Sequence, residues 1–138
     1  MNDIWQICNA VRQTAFGVHA HFKNGFLERV YQNALAHRLQ KLELQVQQQP
    51  QLRVFDEDGT VVGEYFPDLV VANAVIVEIK AVNSLISEHE AQVLGYLRCS
   101  RLEHALLINF GARRFQIRKF VLSAHENESA VQAFESNL

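Results

Sequence analysis

A chain of 138 residues, 49% hydrophobic and 20% charged, has the size and composition of one independently folding domain with one core. Its formal charge of −2 argues against a protein that coats nucleic acid through an overall positive field, so any contact with phosphate must be local. Cys8 and Cys99 match no metal-ligand spacing and read as buried or idle thiols of a reducing compartment. Residues 1–8 lack a basic start followed by an apolar run, and no later stretch approaches the ~20 apolar residues that span a bilayer, so a cytoplasmic protein is expected.

From Ile4 the apolar positions Ile4, Ile7, Cys8, Val11, Ala15 and Val18 recur at three- and four-residue spacing, the stripe of an amphipathic helix that stops before Lys23-Asn24-Gly25. A second stripe, Leu27, Val30, Tyr31, Ala34, Leu35, Arg38, Leu39 and Leu42, begins after Gly25 and puts Glu28 in its first turn beside Tyr31. Alternation at Leu44-Gln45-Val46-Gln47 and Leu52-Arg53-Val54, with Asp56-Glu57-Asp58-Gly59 turning into Val61-Val62, predicts a β-meander. Two apolar runs, Leu69-Val70-Val71-Ala72 and Val75-Ile76-Val77, predict strands covered on both faces. The class is therefore α/β, a mixed sheet flanked by helices on both sides.

Ser87-Glu88-His89-Glu90 reads as a capping box opening a third helix, with Val93, Leu94 and Leu97 facing inward. The run from His104 through Phe110, ended by Gly111, predicts a buried strand, and the alternation of Phe115, Ile117 and Lys119 a last edge strand. The segment 126–138 is expected to form a short helix through Val131, Phe134 and Leu138, which divides the chain into one domain, 1–122, and a tail, 123–138.

The residues that carry chemistry are Pro67-Asp68, followed nine residues later by Glu78-Ile79-Lys80. Side chains at i and i+2 of a strand share a face, so Glu78 and Lys80 project together. Asp68 joins them only if Val71 pairs with Val75, which leaves Ala72-Asn73-Ala74 as the loop, with Asn suited to a positive φ. Two converging carboxylates and the neighbouring backbone carbonyl, that of Ile79, are the hard oxygen ligands that Mg²⁺ prefers, with waters that can attack phosphorus. The lysine can orient such a water and stabilise charge on phosphoryl oxygens. The same residues also describe a solvated strand face with cross-strand ion pairs.

The ordered motifs carry a further implication. Gly25-Phe26-Leu27-Glu28-Arg29-Val30-Tyr31, Phe66-Pro67-Asp68, Val77-Glu78-Ile79-Lys80, His89-Glu90-Ala91-Gln92-Val93-Leu94-Gly95-Tyr96 and Leu106-Leu107-Ile108-Asn109-Phe110-Gly111 together resemble the GxxExxY family of the PD-(D/E)xK nuclease superfamily. The resemblance implies a restriction-endonuclease-like αβββαβ core. In it Asp68 and Glu78 bind Mg²⁺ or, as a substitute, Mn²⁺, Lys80 assists the water, and Glu28 completes the site as a further catalytic or metal-binding acid. It also implies that Gln92 and Tyr96, four apart on one helix face, contact substrate phosphate or a metal-bound water. Where this family is expected to have Gly-Pro-Gly, the chain has Lys23-Asn24-Gly25, which changes the loop beside Glu28.

The expected function is Mg²⁺-dependent hydrolysis of phosphodiester bonds in DNA or RNA. The alternative is a catalytically silent nucleic-acid-binding or assembly module that retains the nuclease fold, and a third reading is a regulatory metal site or plain ion-pair network. Arg98, Arg101, Arg113, Arg114, Arg118 and Lys119 are candidates for a basic rim, Arg98 as a substrate contact. No histidine pair has metal-ligand spacing on a helix. His19 and His21 read as surface or supporting residues, and His89 as the one nearest the site. A small catalytic domain with no evident substrate clamp is expected to work with a second copy of itself or a partner protein, through the first helix or the tail.

Overall fold

The computed structural model describes residues 3–123 and the backbone strand 131–137. Helix α1 runs over Ile4–Phe22, opened by Asp3, whose carboxylate accepts from Trp5 N at 2.8 Å, and α2 over Glu28–Lys41. Five strands follow: β1 (Val46–Gln48), β2 (Leu52–Phe55), β3 (Val61–Tyr65), β4 (Leu69–Val71) and β5 (Val75–Lys80). Helix α3 (Ser87–Ser100) then crosses to β6 (His104–Asn109), β7 (Gln116–Leu122) and β8 (Val131–Asn137).

The main sheet has the order β1-β4-β5-β6-β7-β8, and its one parallel pair is β5 with β6, joined through α3. A parallel pair needs such a crossover, and here it places α3 on one face while α1 and α2 cover the other. Strand residues accordingly alternate between two cores. Leu69, Val71, Val75, Val77, Ile79, Leu106 and Ile108 pack with α1 and α2. Val70, Ile76, Ala105 and Leu107 pack with Val93, Tyr96 and Leu97 of α3. Val75, Ile76, Val77 and Ile79 are all 0% exposed, and each buried side chain of this size stabilises the fold by about 1.5–3 kcal/mol. A one-residue slip of β5 would send each of them to the wrong core, so the register is strongly fixed.

Five sequence expectations need correction: the single core expected from chain length is two, one on each face of the sheet, and four local readings also change. The meander is broken, because β1 pairs with β4 while β2 and β3 form a separate hairpin packed on α3. The third helix is capped by Ile86 and not by a Ser87 box: Ile86 N donates to His89 Nδ1 at 3.1 Å, and His89 N to Ile86 O at 3.1 Å. β7 is not an edge strand, and the tail is not a helix over 131–137. That segment is β8, paired with β7 from Leu122↔Val131 to Gln116↔Asn137. Its apolar spacing suits a helix locally, but an unpaired β7 offers a full row of backbone donors and acceptors that an extended segment satisfies. The rest of the expected tail helix lies outside the described residues. Among the described residues no helix is long and apolar enough to cross a membrane.

Candidate active site

The hairpin β4–β5 pairs Val71 with Val75, Val70 with Ile76 and Leu69 with Val77, the register that sets Asp68 opposite Glu78. Ala72 and Asn73 take φ values of 54° and 53°, and Ala74 N donates to Val71 O at 3.0 Å, closing the three-residue loop. Just beyond β4 the chain is locked to β5 twice. Asp68 N donates to Glu78 Oε1 at 3.0 Å, and Ile79 N donates to Asp68 Oδ2 at 2.7 Å. In a strand a residue's N–H and C=O point the same way, so the Ile79 carbonyl also faces the Asp68 side, beyond the last paired residue of β4.

Glu78 and Lys80 share the α3 face of β5. Lys80 Nζ lies 3.5 Å from Glu78 Oε2 and donates to Gln92 Oε1 at 2.8 Å. One turn further along α3, the Tyr96 hydroxyl donates to Glu78 Oε2 at 3.4 Å. Tyr96 is 4% exposed, so it sits beneath the acid and not on a substrate surface. Burial, and next the Asp68 charge, push Glu78 up to about 8, against the opposing pull of the Asp68 N–H and the Lys80 ammonium. Burial and the same two acids raise the Tyr96 phenol.

Glu28 arrives from the other face. It is the first residue of α2, and its Oε2 accepts from Ala81 N at 3.4 Å, just past the end of β5. With Asp68 it lines a cleft of about 480 Å³ that also includes Phe26, Arg29, Gln32 and Gln49. The preceding loop is fastened by Tyr31, whose hydroxyl donates to Lys23 O at 2.5 Å and accepts from Phe26 N at 3.2 Å. Gly25, at φ 120°, supplies a conformation that a side chain would resist. Lys23-Asn24-Gly25 is therefore held by a hydroxyl clamp at the point where a stiffer Gly-Pro-Gly was expected.

Asn109 was not singled out in the sequence, yet it fixes the loop after Lys80. It is 0% exposed, its Oδ1 accepts from Val82 N and Gly111 N, and its Nδ2 donates to Val82 O and Gln116 Oε1. An amide inside the apolar run Leu106-Leu107-Ile108-Asn109-Phe110 was the available signal, since a buried amide there must find partners. Gly111 is needed beside it, because a Cβ would lie 2.2 Å from Val82 N.

Other candidates are dispersed. Arg98 lines a different cleft with Arg53 and Arg101. Lys119 is buried with its Nζ 3.9 Å from the Trp5 ring centre, and Arg118 pairs with Glu90 at 2.6 Å, so the expected basic rim is not one continuous feature. His19 Nε2 contacts Ala112 O at 2.9 Å, and His89 is occupied in capping α3.

Among the described residues no group of three or more His, Cys, Asp or Glu stands ready around one point. The chemistry of the nearer donors nevertheless fits a hard divalent cation: two carboxylates and a carbonyl at one strand end, with mutual repulsion that a cation would relieve. Lys80 stands beside these acids and Glu28 across the cleft.

The family model of the PD-(D/E)XK nuclease superfamily matches residues 5–120, while no curated protein and no solved structure matches the chain. The match takes in both α1–α2 and the whole β4–β5–α3–β6 unit, and hence every residue of the acid site. On that extent of agreement, the chain belongs to the PD-(D/E)XK nuclease superfamily.

Proposed function

We propose that this protein is a metal-dependent phosphodiesterase that hydrolyses DNA or RNA, and that within its superfamily it is a GxxExxY protein. The observation that carries the reading is the double tie between Asp68 and the Glu78-Ile79 backbone and side chain, with Lys80 on the same strand face. Asp68, Glu78 and the Ile79 carbonyl would hold Mg²⁺, or Mn²⁺ in its place, and Glu28 would complete the site from the opposite wall. A divalent ion there supplies Lewis acidity toward phosphoryl oxygens and makes a water more acidic.

The chain's own residues supply placement and charge. The Ile79 N–H fixes the Asp68 carboxylate, so that it is ordered before substrate arrives. Lys80 offers a cation for charge that develops on phosphoryl oxygens, and Gln92 holds that ammonium in place. Tyr96 anchors Glu78 from below. A second copy or a partner protein against α1 belongs to the same proposal, since Trp5 and Phe16 are 68% and 45% exposed there.

One observation favours the silent binding or assembly module. Glu78 is 4% exposed, and its burial and the Asp68 charge disfavour the ionised form that would hold a cation. The test is cleavage of labelled single- and double-stranded DNA and RNA with Mg²⁺ or Mn²⁺ by the wild type, Asp68→Ala and Lys80→Ala. Cleavage by the wild type that both variants lose supports the enzyme. A folded, metal-binding wild type that cleaves none of the four supports the silent module.

A further inference from the structure

We propose that the cleft between the β2–β3 hairpin and the C-terminal half of α3 is a channel that binds single-stranded nucleic acid and leads it to the acid site. This rests on the nuclease reading and names the form of substrate it takes. The cleft has a volume of about 390 Å³, and Arg53, Arg98 and Arg101 line it together with Phe55, Tyr65 and Gly95. No carboxylate lines it, although the chain as a whole is negative. The ion pairs among the described residues are Lys80–Glu78 and Arg118–Glu90, so the three guanidinium groups keep their charge available.

The position of α3 explains only part of this cluster. The C-terminal end of a helix favours cations, which accounts for Arg98 and Arg101. It does not account for Arg53, which comes from a separate sheet and faces Glu64 across its own hairpin without an ion pair. Nor does it account for the aromatic side chains. Phe55 is 58% and Tyr65 46% exposed, and the register shift between Val54 and Phe55 marks the irregularity at which Phe55 sits. Guanidinium groups that track a phosphate backbone beside exposed rings on which bases stack are what an unpaired strand requires; in a duplex the base faces are already stacked.

The channel is next to the chemistry. The Tyr65 and Tyr96 rings meet edge to face with centres 5.6 Å apart, and the Tyr96 hydroxyl reaches Glu78. A strand on Phe55 and Tyr65 would therefore arrive on the α3 side of β5, where Lys80 and Gln92 stand.

The test measures fluorescence anisotropy of labelled oligodeoxythymidine, oligouridine and a DNA hairpin duplex, in EDTA so that binding is separate from cleavage, over a series of salt concentrations. Arg98→Ala with Arg101→Ala is expected to weaken single-strand binding at low salt by roughly tenfold or more. It should also lower the slope of log affinity against log salt by about 0.7 per arginine, whereas Arg98→Lys with Arg101→Lys, which keeps both charges, keeps the slope. Phe55→Ala is expected to weaken single-strand binding by roughly 5- to 100-fold at unchanged slope, with no effect on the duplex. Comparison of the uridine strand with oligodeoxyuridine of the same length, which shares its base, assigns the sugar.

Wild-type binding to neither strand, or variants with wild-type affinity and matching thermal melts, would overturn the channel, as would a Phe55 dependence equal for strand and duplex. If the variants lose binding but the wild type cleaves no strand with Mg²⁺, the channel stands and the nuclease reading falls. If the wild type cleaves and the variants keep its KM for single strands, the nuclease reading stands and the channel falls.

Discussion

The Asp68 N–H donates to Glu78 Oε1 at 3.0 Å while the Asp68 carboxylate accepts from the N–H of Ile79, the residue after Glu78. Each acid is thus positioned by the other's neighbourhood, and the pair is held close before any cation arrives. The cost of that closeness falls on Glu78, which is the more buried of the two.

That cost predicts a pH-dependent stability. With Glu78 raised from 4.5 to about 8, the folded chain holds this proton more tightly than the unfolded chain, so metal-free stability falls as pH rises from 4.5 through 8. Glu78→Gln should then melt on the order of 10 °C higher than wild type at pH 9, with the advantage shrinking toward pH 5. Saturating Mg²⁺ should narrow the gap by stabilising wild type alone. Thermal melts at the two pH values check this, and an equal offset at both would count against a strained Glu78.

Lys80→Met should lower cleavage by roughly 10²–10³-fold while divalent binding, read by calorimetry, persists, because a donor to developing charge is lost and the carboxylates remain. Gln92→Ala, which releases the Lys80 ammonium, should cost less, about tenfold. Equal losses in the two variants would mean that Gln92 does more than hold Lys80.

Tyr31→Phe removes the hydroxyl that joins Lys23 O to Phe26 N, at about 0.5–1.5 kcal/mol for each hydrogen bond lost. Its effect on cleavage should run through Glu28. A double-mutant cycle with Glu28→Ala checks this: the tyrosine change should lower cleavage in the wild type and hardly at all once Glu28 is gone.

Gly111→Ala places a Cβ 2.2 Å from Val82 N and 2.3 Å from the Ala81 carbonyl carbon, both backbone atoms. Relief requires a shift of the segment whose Ala81 N–H holds Glu28, so destabilisation by about 1–3 kcal/mol is expected together with loss of cleavage. Urea unfolding and the cleavage assay measure both, and a variant that melts like wild type would show that the loop can move freely.

Asp68, Glu78 and Lys80 were legible in the sequence because strand periodicity and a three-residue loop suffice to put them on one face, and both are local properties. The two flanking layers were legible from Val70-Val71 and Val75-Ile76-Val77, runs too apolar for a half-exposed strand. Long-range pairing was not legible: nothing near Val46 indicates Val71 as its partner, and nothing near Phe134 indicates Lys119. The approach of Glu28 to Ala81 joins residues on different elements, and so does the meeting of Arg53 with Arg98 and Arg101. Asn109 was hidden by its apolar neighbours.

The two cores described for the sheet divide responsibility for the cleft. Glu28 is carried by the layer containing Tyr31 and Leu35, whereas Gln92, Tyr96 and Arg98 ride on the layer anchored by Val93 and Leu97, with β5 as the partition between them. Substitutions that repack α3 and the hairpin can alter what approaches Lys80 while leaving Glu28 in place, and the reverse holds for α1 and α2. Selection can thus retune substrate preference from one side of the partition without dismantling the acid pair on it, a modularity that a single-core domain of this size would lack.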